Sequence, residues 1–104
     1  MKENVIAKKS FAFSVRTVNL YRYLSEQKKE YVISKQIYKS GTSIGANIAE
    51  AQRAQSTADF VAKMKIALKE ANETQYWLQL LHETGYISDK EFESVHDDLL
   101  EILK

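Results

Sequence analysis

The sequence predicts an all-α protein, an antiparallel up-down-up-down four-helix bundle that occupies residues 1–104 as a single domain. Three observations predict it. Apolar residues recur at three- and four-residue spacings through four successive segments, which are separated by short polar turns. No segment alternates apolar and polar residues over the length of a strand with turn glycines at its ends, so strands are not expected. The composition, 44% hydrophobic and 28% charged, is that of a folded chain rather than a disordered one. A chain of 104 residues forms one domain, and at this size roughly two-thirds of the unfolded surface is buried. Four helices joined by short turns close most simply as a bundle.

The first helix is expected over about residues 3–25. Ile6, Phe13, Leu20 and Leu24 share one face, and Phe11, Val15 and Val18 widen it. Tyr21, Tyr23 and Tyr31 surround the polar turn Glu26-Gln27-Lys28-Lys29, which breaks the pattern. A second helix follows over about residues 30–54, with Ile33, Ile37, Ile44, Ile48 and Ala51 as one stripe and Gly41, Gly45 and Ala49 as a small-residue strip beside it. Each interior glycine costs a helix about 1 kcal/mol relative to alanine. Close packing of a neighbouring helix against Gly41 and Gly45 is the expected compensation.

Gln55-Ser56 ends that helix, and Ser56-Thr57-Ala58-Asp59 offers a hydroxyl and a carboxylate to the start of the next. The third helix runs to about Glu83, with Phe60, Met64, Ala67, Ala71, Leu78 and Leu81 on its core face and Thr74 interrupting the stripe. A second apolar arc on the same helix, Ile66, Trp77 and Leu80, marks either a deep central position or a subunit interface. Gly85 suits a helix C-terminus, and Ser88-Asp89-Lys90-Glu91 is a capping box. The last helix points Phe92, Val95, Leu99, Ile102 and Leu103 inward.

Several chemistries are excluded by what their motifs require. Gly41-Thr42-Ser43-Ile44-Gly45 fits the pattern of a hydrolase nucleophile elbow, but that elbow needs a preceding strand, and the segment before it is helical by period. The same residues fit a membrane dimerisation motif, which Lys35, Lys39, Glu50 and Arg53 exclude, and no apolar run spans a bilayer. Glu93 and His96 have the spacing of a di-iron bundle ligand pair, yet the second pair is missing because Gln79 stands three residues before His82. An Arg one to two turns before a His, the pair used by RNases built on small helical bundles, is absent at both His82 and His96. Neither catalytic residues, metal nor cofactor are therefore expected. The lack of cysteine and of a signal-peptide core points to the cytoplasm.

Charge is distributed unevenly. Residues 1–69 hold 13 Lys and Arg against 5 Asp and Glu, while residues 70–104 hold 2 against 9. Either the first part presents a basic surface to an anionic partner, or the two parts neutralise each other on packing. Lys35, Lys39 and Arg53 are expected on one side of the second helix around Thr42 and Ala46, with Lys28 and Lys29 extending the group. Cations spaced by small residues leave room for a phosphate backbone, and Tyr31 or Tyr38 can stack on a base. Asn47 and Glu50, one turn apart, are read as structural residues beside the glycine strip, with a backbone group or Glu73 as the partner for Asn47.

The stretch Ser40-Gly41-Thr42-Ser43-Ile44-Gly45-Ala46-Asn47-Ile48-Ala49-Glu50-Ala51 resembles the signature of the four-helix-bundle family named after reading frames inside intervening sequences of bacterial 23S rRNA genes. Further matches follow at Phe60, Lys69-Glu70, Glu73-Thr74, Tyr76-Trp77-Leu78, Leu81 and Gly85-Tyr86-Ile87. The resemblance implies a cytoplasmic antiparallel bundle that assembles with copies of itself into a ring, most often a pentamer. A related branch, the accessory proteins of diversity-generating retroelements, forms pentamers with basic surfaces that bind nucleic acid and a reverse transcriptase. The expected function is therefore a non-enzymatic oligomer that binds RNA or DNA through Lys28, Lys29, Lys35, Lys39 and Arg53. The alternative is a protein-interaction scaffold assembled through Ile66, Trp77 and Leu80.

Overall fold

The computed structural model describes residues 4–103. Among them are four helices, α1 (Val5–Glu26), α2 (Ile33–Ala51), α3 (Thr57–Glu83) and α4 (Asp89–Leu103), and no strand. The expected start of the first helix at Glu3 lies outside the described residues. Helices adjacent in sequence pack side by side and α4 returns to α1, while neither α1 and α3 nor α2 and α4 approach each other directly. That cyclic order is compatible with up-down-up-down connection. The molecule measures 43 × 23 × 20 Å, and its length is set by the 27 residues of α3, about 40 Å of helix.

Helix ends follow from side chains that reach free amides. Ser88 and Glu91 form the reciprocal capping box: the Ser88 hydroxyl accepts from the Glu91 amide at 3.1 Å, and the Glu91 carboxylate accepts from the Ser88 amide at 2.7 Å. Ser56 accepts from the Asp59 amide at 3.1 Å. Beyond α3, Gly85 takes φ +85°, where its amide donates to the His82 carbonyl and the Tyr86 amide to that of Leu81. This Schellman geometry needs a residue without a Cβ penalty.

The second helix is shorter at both ends than its periodicity predicts. Glu30 does not continue the helix; its carboxylate turns back and accepts from the amides of Val32, Ile33 and Ser34 at 3.2, 3.0 and 2.6 Å. At the other end the Arg53 and Ala54 amides bond to the carbonyls of Glu50 and Ala51, three residues back, so the chain tightens and leaves the helix after Ala51.

The core is formed by Phe13 and Leu24 of α1, Ile37, Ile44 and Ile48 of α2, Ala67, Ala71, Leu78 and Leu81 of α3, and Val95, Leu99 and Ile102 of α4, with Ile87 closing one end. The glycines serve the expected close approach. A Cβ at Gly41 would lie 2.5 Å from the Thr17 methyl, and one at Gly45 would lie 2.5 Å from the Ser14 hydroxyl and 3.1 Å from the Ser10 carbonyl. Ala49, placed in the same strip by spacing, is exposed and outside this contact.

The α1 surface that meets these glycines differs from expectation. Ser10, Ser14 and Thr17 occupy it, and Phe11 stands 69% exposed with Val15 also on the surface. The hydroxyls of Ser10, Ser14 and Thr17 each donate to a backbone carbonyl within their own helix, so they pack at close range without an unmet hydrogen bond. A phenylalanine does not fit the space the glycines leave. Thr74 has the same logic between α2 and α3, its hydroxyl lying 2.9 Å from that of Ser40 and 2.8 Å from the Glu70 carbonyl. Both residues are fully buried.

Phe60 also departs from the core position expected of it, at 40% exposure. An open apolar cleft of about 230 Å³ lies between the helices, lined by Ile6, Ile48, Met64, Leu68 and Leu103 among others.

Candidate nucleic-acid interface

Cations gather where α1 turns into α2. Lys28 and Lys29 lie in the link between the helices, and Lys29 adopts φ 55°. The Lys28 ammonium sits 5.8 Å from the centre of the Tyr23 ring, a distance suited to a cation–π contact. Lys35 and Lys39 follow one turn apart on the outward side of α2, exposed to solvent together with Lys28 and Lys29. Among the described residues no ion pair engages any of the four.

The carboxylate that interrupts this run in sequence is absent from its surface. Glu30 is 8% exposed, and its three bonds to α2 amides direct it inward. Between Lys28 and Lys39 the chain therefore shows solvent its cations and the exposed side chains of Tyr31, Val32 and Tyr38 but no carboxylate, while Glu26, exposed at the end of α1, stands two residues before Lys28. The same bonds occupy the amides at the start of α2, so anion binding in this corner falls to lysine side chains. Arg22, exposed near the end of α1, adds a cation at this end that the spacing of the lysines does not reveal. Its signal in the sequence is adjacency to Tyr21, whose ring stacks on that of Tyr38 with centroids 4.8 Å apart.

Arg53 does not join the group. Because α2 ends at Ala51, Arg53 lies in the α2–α3 turn, about 20 Å of helix away from Lys39. It lines a shallow depression with two carboxylates, Glu50 and Asp59, and the ammonium of Lys63. Glu50 is an exposed side chain rather than a packing residue, 3.0 Å from the Lys63 ammonium of α3. The hydrogen bond and charge of Glu50 raise the Lys63 pKa above the ordinary lysine value. Asn47 donates to the Ser43 carbonyl at 2.9 Å and meets the Ser43 hydroxyl at 3.2 Å. Its partner is thus a backbone group of its own helix, and Glu73 instead lies 3.4 Å from the Trp77 indole nitrogen.

Charge elsewhere is partly neutralised between α1 and α4, where Arg16 meets Asp98 at 2.6 Å and Lys9 meets Glu101 at 3.1 Å. Glu91, Glu93 and Asp97 remain exposed on α4. Both readings of the charge asymmetry are therefore partly realised: α1 is paired with α4, and α2 keeps free cations.

On α3, Ile66 is 41% exposed, while Trp77 and Leu80 are half-buried. Trp77 packs on the core edge and makes an edge contact with Tyr76 at 5.0 Å. His96 faces Gln75 at 3.0 Å, stacked on Phe92, which also stacks on His82. His82 pairs with Asp89 at 2.5 Å. Among the described residues no three His, Asp or Glu side chains converge as metal ligands, and no helix is long and apolar enough to cross a membrane.

Fold and surface define a small four-helix-bundle protein with a cationic corner at one end. The model of the 23S rRNA-intervening sequence protein family matches residues 2–104, and the chain belongs to that family. Among solved structures it is similar to a protein of unknown function from the S23 ribosomal protein family of Bacteroides thetaiotaomicron. The two share 59% identity and a TM-score of 0.93 over 94% of this chain and 91% of the other. Comparison with curated proteins gives no match.

Proposed function

We propose that the protein is a cytoplasmic, non-enzymatic helical bundle that assembles into a ring, a pentamer by resemblance to its family, and binds RNA or DNA through the α1–α2 corner. The observation that carries this reading is the inward turn of Glu30, which leaves Lys28, Lys29, Lys35 and Lys39 exposed with no surface carboxylate between them in the chain, Glu26 at the end of α1 being the exposed acid nearest to them in sequence. Repetition of one modest patch around a ring raises affinity through effective concentration rather than new chemistry. Arg53, at the far end of α2, takes no part in the patch. With a net charge of only +1, attraction to a polyanion rests on local patches such as this corner.

Titration of labelled mixed-sequence RNA and DNA, followed by anisotropy across a salt series, tests it. Lys35→Glu with Lys39→Glu weakens binding by about tenfold or more and lowers the salt slope by roughly one for each phosphate that the two lysines neutralise. Unchanged affinity in that double variant rejects the corner.

A second reading rests on a different observation. Ile66 is exposed on the same arc of α3 that carries half-buried Trp77 and Leu80 about three turns further on, with Glu70 and Glu73 interleaved, and that arc offers apolar side chains for contact between copies or with a protein partner. On that reading the ring is a scaffold and nucleic acid is irrelevant.

A further inference from the structure

The geometry points to single-stranded nucleic acid as the ligand of the cationic corner, with one unpaired base stacked on Tyr38. The inference rests on the nucleic-acid reading above and specifies its ligand. Tyr38 is 41% exposed, and one face of its ring lies on Tyr21, with centroids 4.8 Å apart and planes 25° from parallel. No other aromatic ring stacks on it among the described residues. The ring is thus backed on one face by Tyr21, and the residue as a whole is exposed to solvent. A platform already held in place surrenders little rotamer freedom when a ligand lands on it.

The surroundings suit a strand whose bases are free. Lys35 precedes Tyr38 by three residues and Lys39 follows it directly, so cations flank the ring along the helix and around it. Tyr31 and Val32, both exposed, extend the apolar surface toward Lys28 and Lys29. A duplex keeps its base faces inside its own stack and meets this corner with phosphates alone. A single strand brings phosphates to the lysines and a base face to the tyrosine together. Stacking of this kind is tolerant of sequence, because every base has a π-face.

The test uses the full chain and a single-stranded oligonucleotide containing 2-aminopurine, compared with the duplex formed by adding its complement. Anisotropy reports affinity at low and physiological salt, and 2-aminopurine quenching reports stacking. The wild-type protein is expected to prefer the single strand and to quench the probe. Tyr38→Ala is expected to lose the quenching and about tenfold in single-strand affinity, with duplex affinity and salt slope unchanged. Tyr38→Phe should restore both signals, and Tyr38→Leu, which keeps apolar contact with Tyr21, should restore neither. Helical circular dichroism confirms folding of each variant. Equal binding of duplex and single strand, with Tyr38→Leu matching wild type, overturns the stacking inference and leaves the cationic corner standing. Failure of the wild type to bind either form at low salt overturns both.

Discussion

A single methyl group at Gly41 measures how closely two helices approach. In solvent, Gly41→Ala would gain about 1 kcal/mol of helix propensity. Here the added carbon would lie 2.5 Å from the Thr17 methyl and 3.2 Å from the Thr17 Cβ, and rotation about χ1 leaves the Cβ where it is. Overpacking of this kind costs typically about 1–3 kcal/mol. With a contact as short as 2.5 Å the cost falls at the upper end of that range, so the variant is expected to lose about 2 kcal/mol net, a fall of about 8–15 °C in Tm by calorimetry. Adding Thr17→Ala should recover most of that loss, a coupling read from the double-mutant cycle. Gly85 behaves oppositely: no atom lies within 4 Å of a Cβ built there, so Gly85→Ala costs about 1 kcal/mol through its left-handed backbone alone. The glycines announced this close contact in the sequence. Their partners did not, because Ser10, Ser14 and Thr17 read as polar residues until their hydroxyls are seen bonded within α1.

At the level of elements, local chemistry was legible and length was not. Ser56, Gly85 and the Ser88–Glu91 box can be read in order along the chain, since each acts on amides or carbonyls a few residues away. Glu30 acts locally too, yet it reads as the first residue of α2 when it is in fact the group that caps it. Its replacement separates the two roles. Glu30→Ala leaves three amides without their acceptor and is expected to cost about 2 kcal/mol, seen as a lower urea midpoint at unchanged m-value. Glu30→Gln retains one acceptor oxygen and should be milder. Phe60 fails for a non-local reason. Its spacing matches the core stripe of α3, and its 40% exposure depends on which side chains pack across from it, which no spacing within α3 encodes.

For the molecule as a whole, assembly and ligand binding should separate. Ile66→Glu alters an exposed side chain, so helicity and monomer stability are expected to persist while the mass of the proposed ring, read by light scattering, falls. An unchanged mass removes this flank from the subunit contact. Trp77→Ala is the poorer variant, since that indole also packs on the core. Four of the five cations grouped by spacing do share one corner, and Arg53 parts from them because about 20 Å of chain along α2 separates it from Lys39. Charge in the folded chain is uneven by direction: α2 carries exposed Lys35 and Lys39, α4 carries exposed Glu91, Glu93 and Asp97 against Lys90, and these two helices do not pack on each other. A particle of near-zero net charge built this way still feels a torque near a polyanion and turns its α2 side forward before contact. At physiological salt the field reaches about 8 Å, less than half the 20 Å width of the bundle. Reorientation is then confined to the last step of approach, and dilute salt lengthens its reach.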